Sequence, residues 1–271
     1  TLLPHEFFLD LLLERLIRQK IQARLGGKLK YFISGGAALN PEIGSFFMAL
    51  GVKLLQGYGQ TEASPVISAN RPGKIKIETV GPPVAGVEVR FADDGEILVR
   101  GDLLMKGYWR DDHSTAATIR DGWLYTGDIG TCDDDGYITI TGRKKEIIVN
   151  SGGENIVPSR VEALLTIEPE IEQALVDGDR RPWLAAVIVP SAEARAAAVS
   201  DEALKLLIAE TVERANSRLS QIERVRRFII ADEGFTTENS QLTATLKVRR
   251  HIVRAQYQDR IAALYTRGKQ D

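Results

Sequence analysis

Residues 30–62, KYFISGGAALNPEIGSFFMALGVKLLQGYGQTE, decide the fold class. Lys30-Tyr31-Phe32-Ile33-Ser34 reads as a short strand that runs into Gly35-Gly36. Asn40-Pro41-Glu42 is a helix start, because Asn can accept from free N–H groups of the first turn and Pro is preset for it; Gly51 is the stop. Val52-Lys53-Leu54-Leu55 predicts a second strand. Strand, about ten residues of helix, and strand again make a βαβ unit, whose strands should be parallel with a right-handed crossover.

Before this unit, Leu9, Leu13, Leu16, Ile17, Ile21 and Leu25 recur at three- and four-residue steps, which predicts a helix over 8–25 ended near Gly26-Gly27. The chain opens at Thr1, without an initiator Met or the basic and apolar regions of a signal peptide, and reads as a piece of something longer. After the unit, short alternating runs at 87–91 and 96–100 flank an Asp94-Gly95 turn, Asp121-Gly122 and Asp135-Gly136 repeat the turn signal, and 137–140 closes the region. Residues 80–142 should therefore form a small antiparallel sheet or barrel. Beyond Arg143-Lys144-Lys145 the pattern is mixed: strands at 146–149 and 184–189, and helices after Pro158, near 201–219 and near 248–265. The Ala-rich stretch 191–199 reads as a linker or a weak helix. The fold class is α/β plus α+β.

Composition narrows the function classes. The 271 residues carry 35 Lys+Arg and 37 Asp+Glu, a net charge of −2, which speaks against a nucleic-acid groove or a polybasic membrane anchor. With 44% apolar and 27% charged residues the chain can bury a real core. Cys132 is the single cysteine, so no intrachain disulfide or Cys-rich zinc site can form, and a cytoplasmic location fits. No apolar run approaches the roughly 20 residues of a membrane helix, and peripheral membrane association stays open. Asp133-Asp134-Asp135-Gly136 lacks the ligand spacing of a calcium loop and reads as a hairpin turn. His5, His113 and His251 suggest no cluster, and Cys132 has no local basic partner to activate it.

Ligands of an open parallel sheet bind beyond the carboxyl ends of its strands. Two glycine-bearing loops qualify. Ser34-Gly35-Gly36-Ala37 allows close backbone approach; Gln56-Gly57-Tyr58-Gly59-Gln60-Thr61-Glu62 adds a ring for stacking, a hydroxyl for phosphate and a carboxylate for a hard cation such as Mg²⁺. Either loop alone also reads as an ordinary glycine turn. Their placement at neighbouring strand ends favours a nucleotide site.

Tyr58-Gly59-Gln60-Thr61-Glu62, then Tyr125-Thr126-Gly127-Asp128, then Gly142-Arg143-Lys144-Lys145 with Ser151-Gly152-Gly153-Glu154-Asn155, and finally Leu242-Thr243-Ala244-Thr245-Leu246-Lys247 resemble, in order, signature motifs of the adenylate-forming superfamily. The text at 64–72 and 95–101 most resembles its bacterial long-chain acyl-CoA synthetases. The resemblance runs from about Lys28 to the C-terminal helix. It implies ATP-dependent activation of a fatty acid through an acyl-adenylate, then thioester formation with coenzyme A. Residues 1–79 would be the end of an α/β nucleotide-binding subdomain, 80–142 an antiparallel β subdomain, 143–145 a hinge and 146–271 a mobile α+β C-terminal domain. Gly35, Gly36, Ala37, Gly57, Tyr58, Gly59 and Gln60 would surround the adenine end of ATP or AMP, Thr61 would bond the α-phosphate, and Glu62 would hold Mg²⁺. Asp128 and Arg143 would meet the ribose. Lys247 would be the catalytic lysine of adenylation, Lys145 the hinge pivot, and Gly152 and Gly153 part of the coenzyme A tunnel.

Each motif has a plainer local reading: Thr126-Gly127-Asp128 as a turn before a strand, Lys247 with Arg249 and Arg250 as a solvated turn of a surface helix, Arg143-Lys144-Lys145 as a basic patch. Ala244 departs from the Pro common in such motifs. Nothing in 1–271 matches the family's Ser/Thr/Gly-rich phosphate loop, so the chain reads as a C-terminal portion, inactive without the N-terminal part of the same enzyme. Two other functions remain open at this stage: an AMP-binding module without catalysis, and adenylation of another carboxylic acid.

Overall fold

The computed structural model describes residues 13–37 and 39–266. It divides into two compact units, Thr1–Lys144 and Lys145–Asp271. Among the described residues no helix is long and apolar enough to cross a membrane.

The first unit begins with a π-helical turn, Glu14–Arg18, that continues as α1 (Gln19–Arg24). The earlier part of the expected helix, including Leu9, lies outside the described residues. Gly26 and Gly27, both at positive φ, end it by donating to Ala23 and Gln22 carbonyls at 3.0 and 2.7 Å. The periodic face does not become core, however: Leu13, Leu16, Ile17 and Leu25 stay exposed.

Strand β1 (Phe32–Ser34), helix α2 (Pro41–Ala49) and strand β2 (Leu54–Gly59) form the expected unit, with β1 and β2 parallel. Asn40 caps α2 as its position suggests, its Oδ1 accepting from the Glu42 N–H at 2.8 Å. The second strand is shifted from its expected place, starting at Leu54 and running through Gln56-Gly57-Tyr58-Gly59, whose glycines predict a loop. The reason is β3 (Val66–Ala69), which pairs antiparallel with β2 and lies so near that only glycine fits. A Cβ on Gly59 would stand 1.6 Å from the Pro65 carbonyl oxygen. The glycines at 57 and 59 thus serve strand approach first.

The antiparallel region is an open sheet of five strands: β4 (Glu88–Phe91), β5 (Glu96–Arg100), β6 (Ile119–Arg120), β7 (Trp123–Cys132) and β8 (Ile138–Arg143). Their order is β4-β5-β7-β6, with β8 also on β7. The Asp94-Gly95 hairpin stands where the sequence puts it, with Gly95 at φ +80°. Ile97, Val99, Leu124 and Ile138 of this sheet share a core with Ile67 of β3 and with Ala63, just before it. Helix α3 (Asp112–Thr118), capped by Asp111, has no apolar period and was not expected.

In the second unit the expected strand at 146–149 contracts to β9 (Ile148–Val149), paired with β10 (Asn155–Ile156). The main sheet is β11 (Ile171–Asp177), β12 (Leu184–Pro190) and β13 (Val225–Ile230), β12 being antiparallel to β11 and parallel to β13. Side chains alternate across it. Val176, Leu184, Ala186 and Ile188 pack with α4 (Pro158–Thr166), α5 (Ala192–Ala197) and α6 (Asp201–Asn216). Leu175, Val187, Val189 and Ile229 pack with Val253, Tyr257 and Ile261 of α7 (Arg250–Thr266) on the other face. Covered on both sides, β12 is buried along its whole length, which is why it reads as an unbroken apolar run. The Ala-rich stretch resolves as α5, capped by Ser191.

Candidate functional site

In the first unit three side chains converge from three strands. Asp128 on β7 and Arg143 on β8 are register partners, and Arg143 Nε lies 2.9 Å from Asp128 Oδ1. From β2, the Tyr58 hydroxyl donates to Asp128 Oδ2 at 2.6 Å. The Asp128 side chain is 6% exposed and that of Arg143 55%, so a buried carboxylate sits under an accessible cation. Burial, followed by the Asp128 charge, pushes the Tyr58 phenol far above its ordinary value, so it stays a neutral donor.

The backbone beneath Asp128 is fixed by groups the sequence reading passed over. Buried Glu96 on β5 accepts from the Gly127 N–H at 2.9 Å and from Lys144 Nζ at 2.8 Å, while the Lys144 N–H donates to the Gly127 carbonyl at 2.8 Å. Thr126 Oγ1 donates to the Ile97 carbonyl at 2.7 Å. Gly127 stands at φ +71°, a conformation costly for other residues. Glu96 sits in an alternating strand with no local mark of this role; its partners are about 30 and 50 residues away, beyond the reach of any periodicity.

Gly35, Gly36 and Ala37 follow β1 and are exposed. Gly35 abuts β2, since a Cβ there would meet the Gly57 oxygen at 3.3 Å. Gln60 follows β2, and its Nε2 is buried without a partner, an orphan donor that a ligand oxygen would satisfy. Thr61 and Glu62 lie in a single 3₁₀ turn, Thr61–Ala63, with Thr61 exposed. Glu62 Oε1 accepts from the Tyr108 hydroxyl at 2.8 Å, a contact sequence reading missed across 46 residues. Burial first, then Glu62, raises the Tyr108 phenol. Among the described residues no cluster of three His, Cys, Asp or Glu side chains could hold a metal ion. The single Glu62 carboxylate nonetheless fits Mg²⁺, which is commonly held by one or two carboxylates with substrate phosphates and water.

The acidic turn is indeed a turn, and Lys76 holds it: its Nζ lies 2.6 Å from both Asp133 Oδ2 and Asp135 Oδ2. Burial and Asp133 raise the adjacent Cys132 thiol, which disfavours its reactive thiolate.

The other predicted residues belong to the second unit. Lys145, exposed, is its first residue. Gly152 and Gly153 lie in the exposed turn between β9 and β10, where Asn150 Oδ1 accepts from the Gly152 and Glu154 N–H groups at 2.9 and 3.0 Å. Gly153 takes φ +83°. Lys247 does not sit on a surface helix, which begins only at Arg250. It ends a closed loop in which the Thr243 N–H donates to the Lys247 carbonyl at 2.8 Å and the Lys247 N–H to Thr243 Oγ1 at 3.0 Å. Leu246 adopts φ +59° to make the turn, and Lys247 itself is exposed. In the second unit a tight loop thus carries an accessible ammonium. In the first, a carboxylate and an arginine are set together, and a carboxylate can accept from a diol.

Residues 6–109 match the family model of AMP-binding enzymes, and residues 145–269 that of the AMP-binding enzyme C-terminal domain. The long-chain fatty-acid–CoA ligase FadD15 of Mycobacterium bovis is 41% identical over 94% of this chain and 45% of its own length. A long-chain fatty-acid–CoA ligase of Bacillus subtilis is 41% identical over 55% of this chain and 29% of its own. The chain thus spans less than half the length of these relatives. Among solved structures, the A-PCP didomain of a carboxylic acid reductase from Segniliparus rugosus, in complex with AMP, superposes with a TM-score of 0.79 at 29% identity, over 93% of this chain and 37% of its own.

Proposed function

The chain belongs to the AMP-binding enzymes of the adenylate-forming superfamily, and on that premise we propose that it carries the nucleotide-facing part and catalytic lysine of a cytoplasmic long-chain fatty-acid–CoA ligase. Fatty acid, ATP and coenzyme A are its substrates. The remaining length of the relatives, upstream, supplies the phosphate loop and the acyl tunnel, and the chain is inactive without it.

The observation that carries this reading is the Tyr58–Asp128–Arg143 group. Each Asp128 oxygen already accepts one bond, and a carboxylate oxygen has two lone pairs, so one acceptor site per oxygen remains. Two such sites suit the two hydroxyls of a ribose. The Tyr58 hydroxyl holds its ring in one orientation, with one face for adenine opposite the Gly35-Gly36-Ala37 backbone. Gln60 Nε2 donates to the nucleotide, Thr61 bonds the α-phosphate, and Arg143 stays beside the sugar. Glu62, steadied by Tyr108, holds Mg²⁺, which when bound neutralises phosphate charge.

In the first half-reaction a fatty-acid carboxylate oxygen bonds to the α-phosphorus and the bond to pyrophosphate breaks. Lys247 offsets the negative charge shared by carboxylate and phosphate as they meet. In the second, the coenzyme A sulfur bonds to the acyl carbon and AMP leaves, with the Gly152-Gly153 turn facing the thiol arm after rotation at Lys145. The alcohol-like specificity for the nucleotide sugar gives the test. The chain should bind AMP about a hundredfold more tightly than 2′,3′-dideoxy-AMP, which lacks both hydroxyls and so forfeits two bonds to a carboxylate at about 1.5 kcal/mol each, and Asp128→Ala should remove the preference. Equal binding of both nucleotides by the unaltered chain, measured by calorimetry, would contradict the assignment of Asp128 to the ribose.

A further inference from the structure

Behind the Lys247 loop lies a charged group that the chemistry above leaves unused. Arg250, the first residue of α7, donates from Nε to Glu146 Oε2 at 3.1 Å and from Nη2 to Glu162 Oε2. Glu162 belongs to α4, and its other oxygen accepts from the Val176 N–H of β11 at 2.7 Å. The Arg250 and Glu162 side chains are each only 15% exposed. One guanidinium therefore joins the residue next to Lys145, the helix α4 and, through Glu162, the sheet.

A buried ion group of this kind is a poor source of stability. Desolvation offsets most of the attraction, and an apolar filling of similar volume often does as well or better. Its distinguishing property is direction, since a planar fork bridges two carboxylates in one geometry where an ammonium does not. The direction that matters here is that of the Lys247 loop. The loop is bonded within itself, as described, and its two stems meet where the Arg249 N–H donates to the Gln241 carbonyl at 2.7 Å and Leu242 bridges Val248. With the tip closed, the aim of Lys247 is set at this root, and Arg250 is the next residue along.

We propose that Arg250, clamped between Glu146 and Glu162, is a positioning residue that fixes the direction of the Lys247 loop and ties it to the hinge segment. The proposal rests on Lys247 serving adenylation, and it predicts an effect on one half-reaction only.

Arg250→Lys keeps the charge and loses the fork. Hydrogen exchange in the 271-residue chain should quicken at least fivefold at the Arg249 and Thr243 amides, while core amides of Ile208 and Val212 keep their rates. In the complete ligase, single-turnover adenylate formation should fall at least tenfold, while thioester formation from supplied acyl-adenylate stays within twofold. Glu146→Ala, which removes only the more exposed arm, should give the same pattern at about threefold and decides the matter if Arg250→Lys fails to fold. Equal loss in both half-reactions, or unchanged root exchange and adenylation, overturns the proposal. Lys247→Ala separates the two levels of the account: if it leaves adenylation intact, the reading of Lys247 fails whatever Arg250 does. If it abolishes adenylation and Arg250→Lys does not reduce it, only the positioning role fails.

Discussion

The β1–α2–β2 segment and the β11–β12–β13 sheet each hold a parallel strand pair joined through helices, β1–β2 through α2 and β12–β13 through α5 and α6, yet they treat their apolar side chains in opposite ways. In the second unit, β12 is buried throughout and helices cover both faces. In the first, Ile33 is 82% exposed and Phe46 60%, with Ile43, Phe47 and Leu16 also exposed. Burying one such side chain contributes about 1.5–3 kcal/mol, so this is a substantial driving force left unused. Hydrogen bonds, caps and glycine stops suffice to shape the segment locally; they do not supply its core. The second unit covers its own sheet on both faces, whereas the βαβ segment leaves an apolar surface uncovered among the described residues.

The largest contrast should appear on truncating side chains. Ile188→Ala in β12 should cost about 2–5 kcal/mol in denaturant unfolding of the second unit, because it leaves a cavity. Ile33→Ala and Phe46→Ala should each change stability by no more than about 0.5 kcal/mol in this chain, as exposed positions do, and become costly once the upstream part is supplied. A large cost in the chain by itself would break the comparison.

Next in size is Gly59→Ala. The built Cβ overlaps the Pro65 carbonyl, and the backbone shift should cost about 3 kcal/mol. Gly57→Ala, where the nearest atom is the Ser68 oxygen at 3.3 Å, should cost clearly less. Thermal unfolding of the first unit reads both.

The smallest expected effect concerns the tie between the segment and its sheet. Tyr58→Phe removes a bond to a carboxylate and should cost about 1.5 kcal/mol at neutral pH. The sign with pH follows from the raised phenol: the folded state holds the proton more tightly than the unfolded state. Its contribution is therefore fully present below the unfolded value of about 10 and is lost progressively above it. Stability measured from pH 8 to 11 should fall for the unaltered chain more steeply than for Tyr58→Phe.

Local signals made much of this architecture legible. Asn40-Pro41 and Gly51 bound α2, Asp94-Gly95 marks the hairpin, and the apolar run at 184–189 marks β12, whose burial on both faces the structure adds. β11 and β13 stayed hidden because their buried residues are interrupted by Glu172, Gln173, Arg226 and Arg227, which spoils both periods. β2 was cut short because its glycines carry the usual mark of a loop, while their real constraint, the approach of β3, is a tertiary fact. In the site, Tyr58, Asp128 and Arg143 were legible through motif order. Glu96 and Lys144, which fix the backbone at Gly127, and Tyr108, which holds Glu62, act across distant contacts that no single stretch encodes.

The central claim is that this chain holds the adenylating chemistry of a fatty-acid ligase whose remaining part lies elsewhere. AMP release from ATP, palmitate and coenzyme A measures it most directly, with the chain alone, with the upstream part of the ligase supplied, and with Lys247→Ala in both settings. The account predicts no turnover from the chain alone, turnover that needs palmitate once the upstream part is supplied, and its loss in Lys247→Ala. Turnover by the chain alone, or a completed enzyme that releases AMP with amino acids and ignores palmitate, would contradict it.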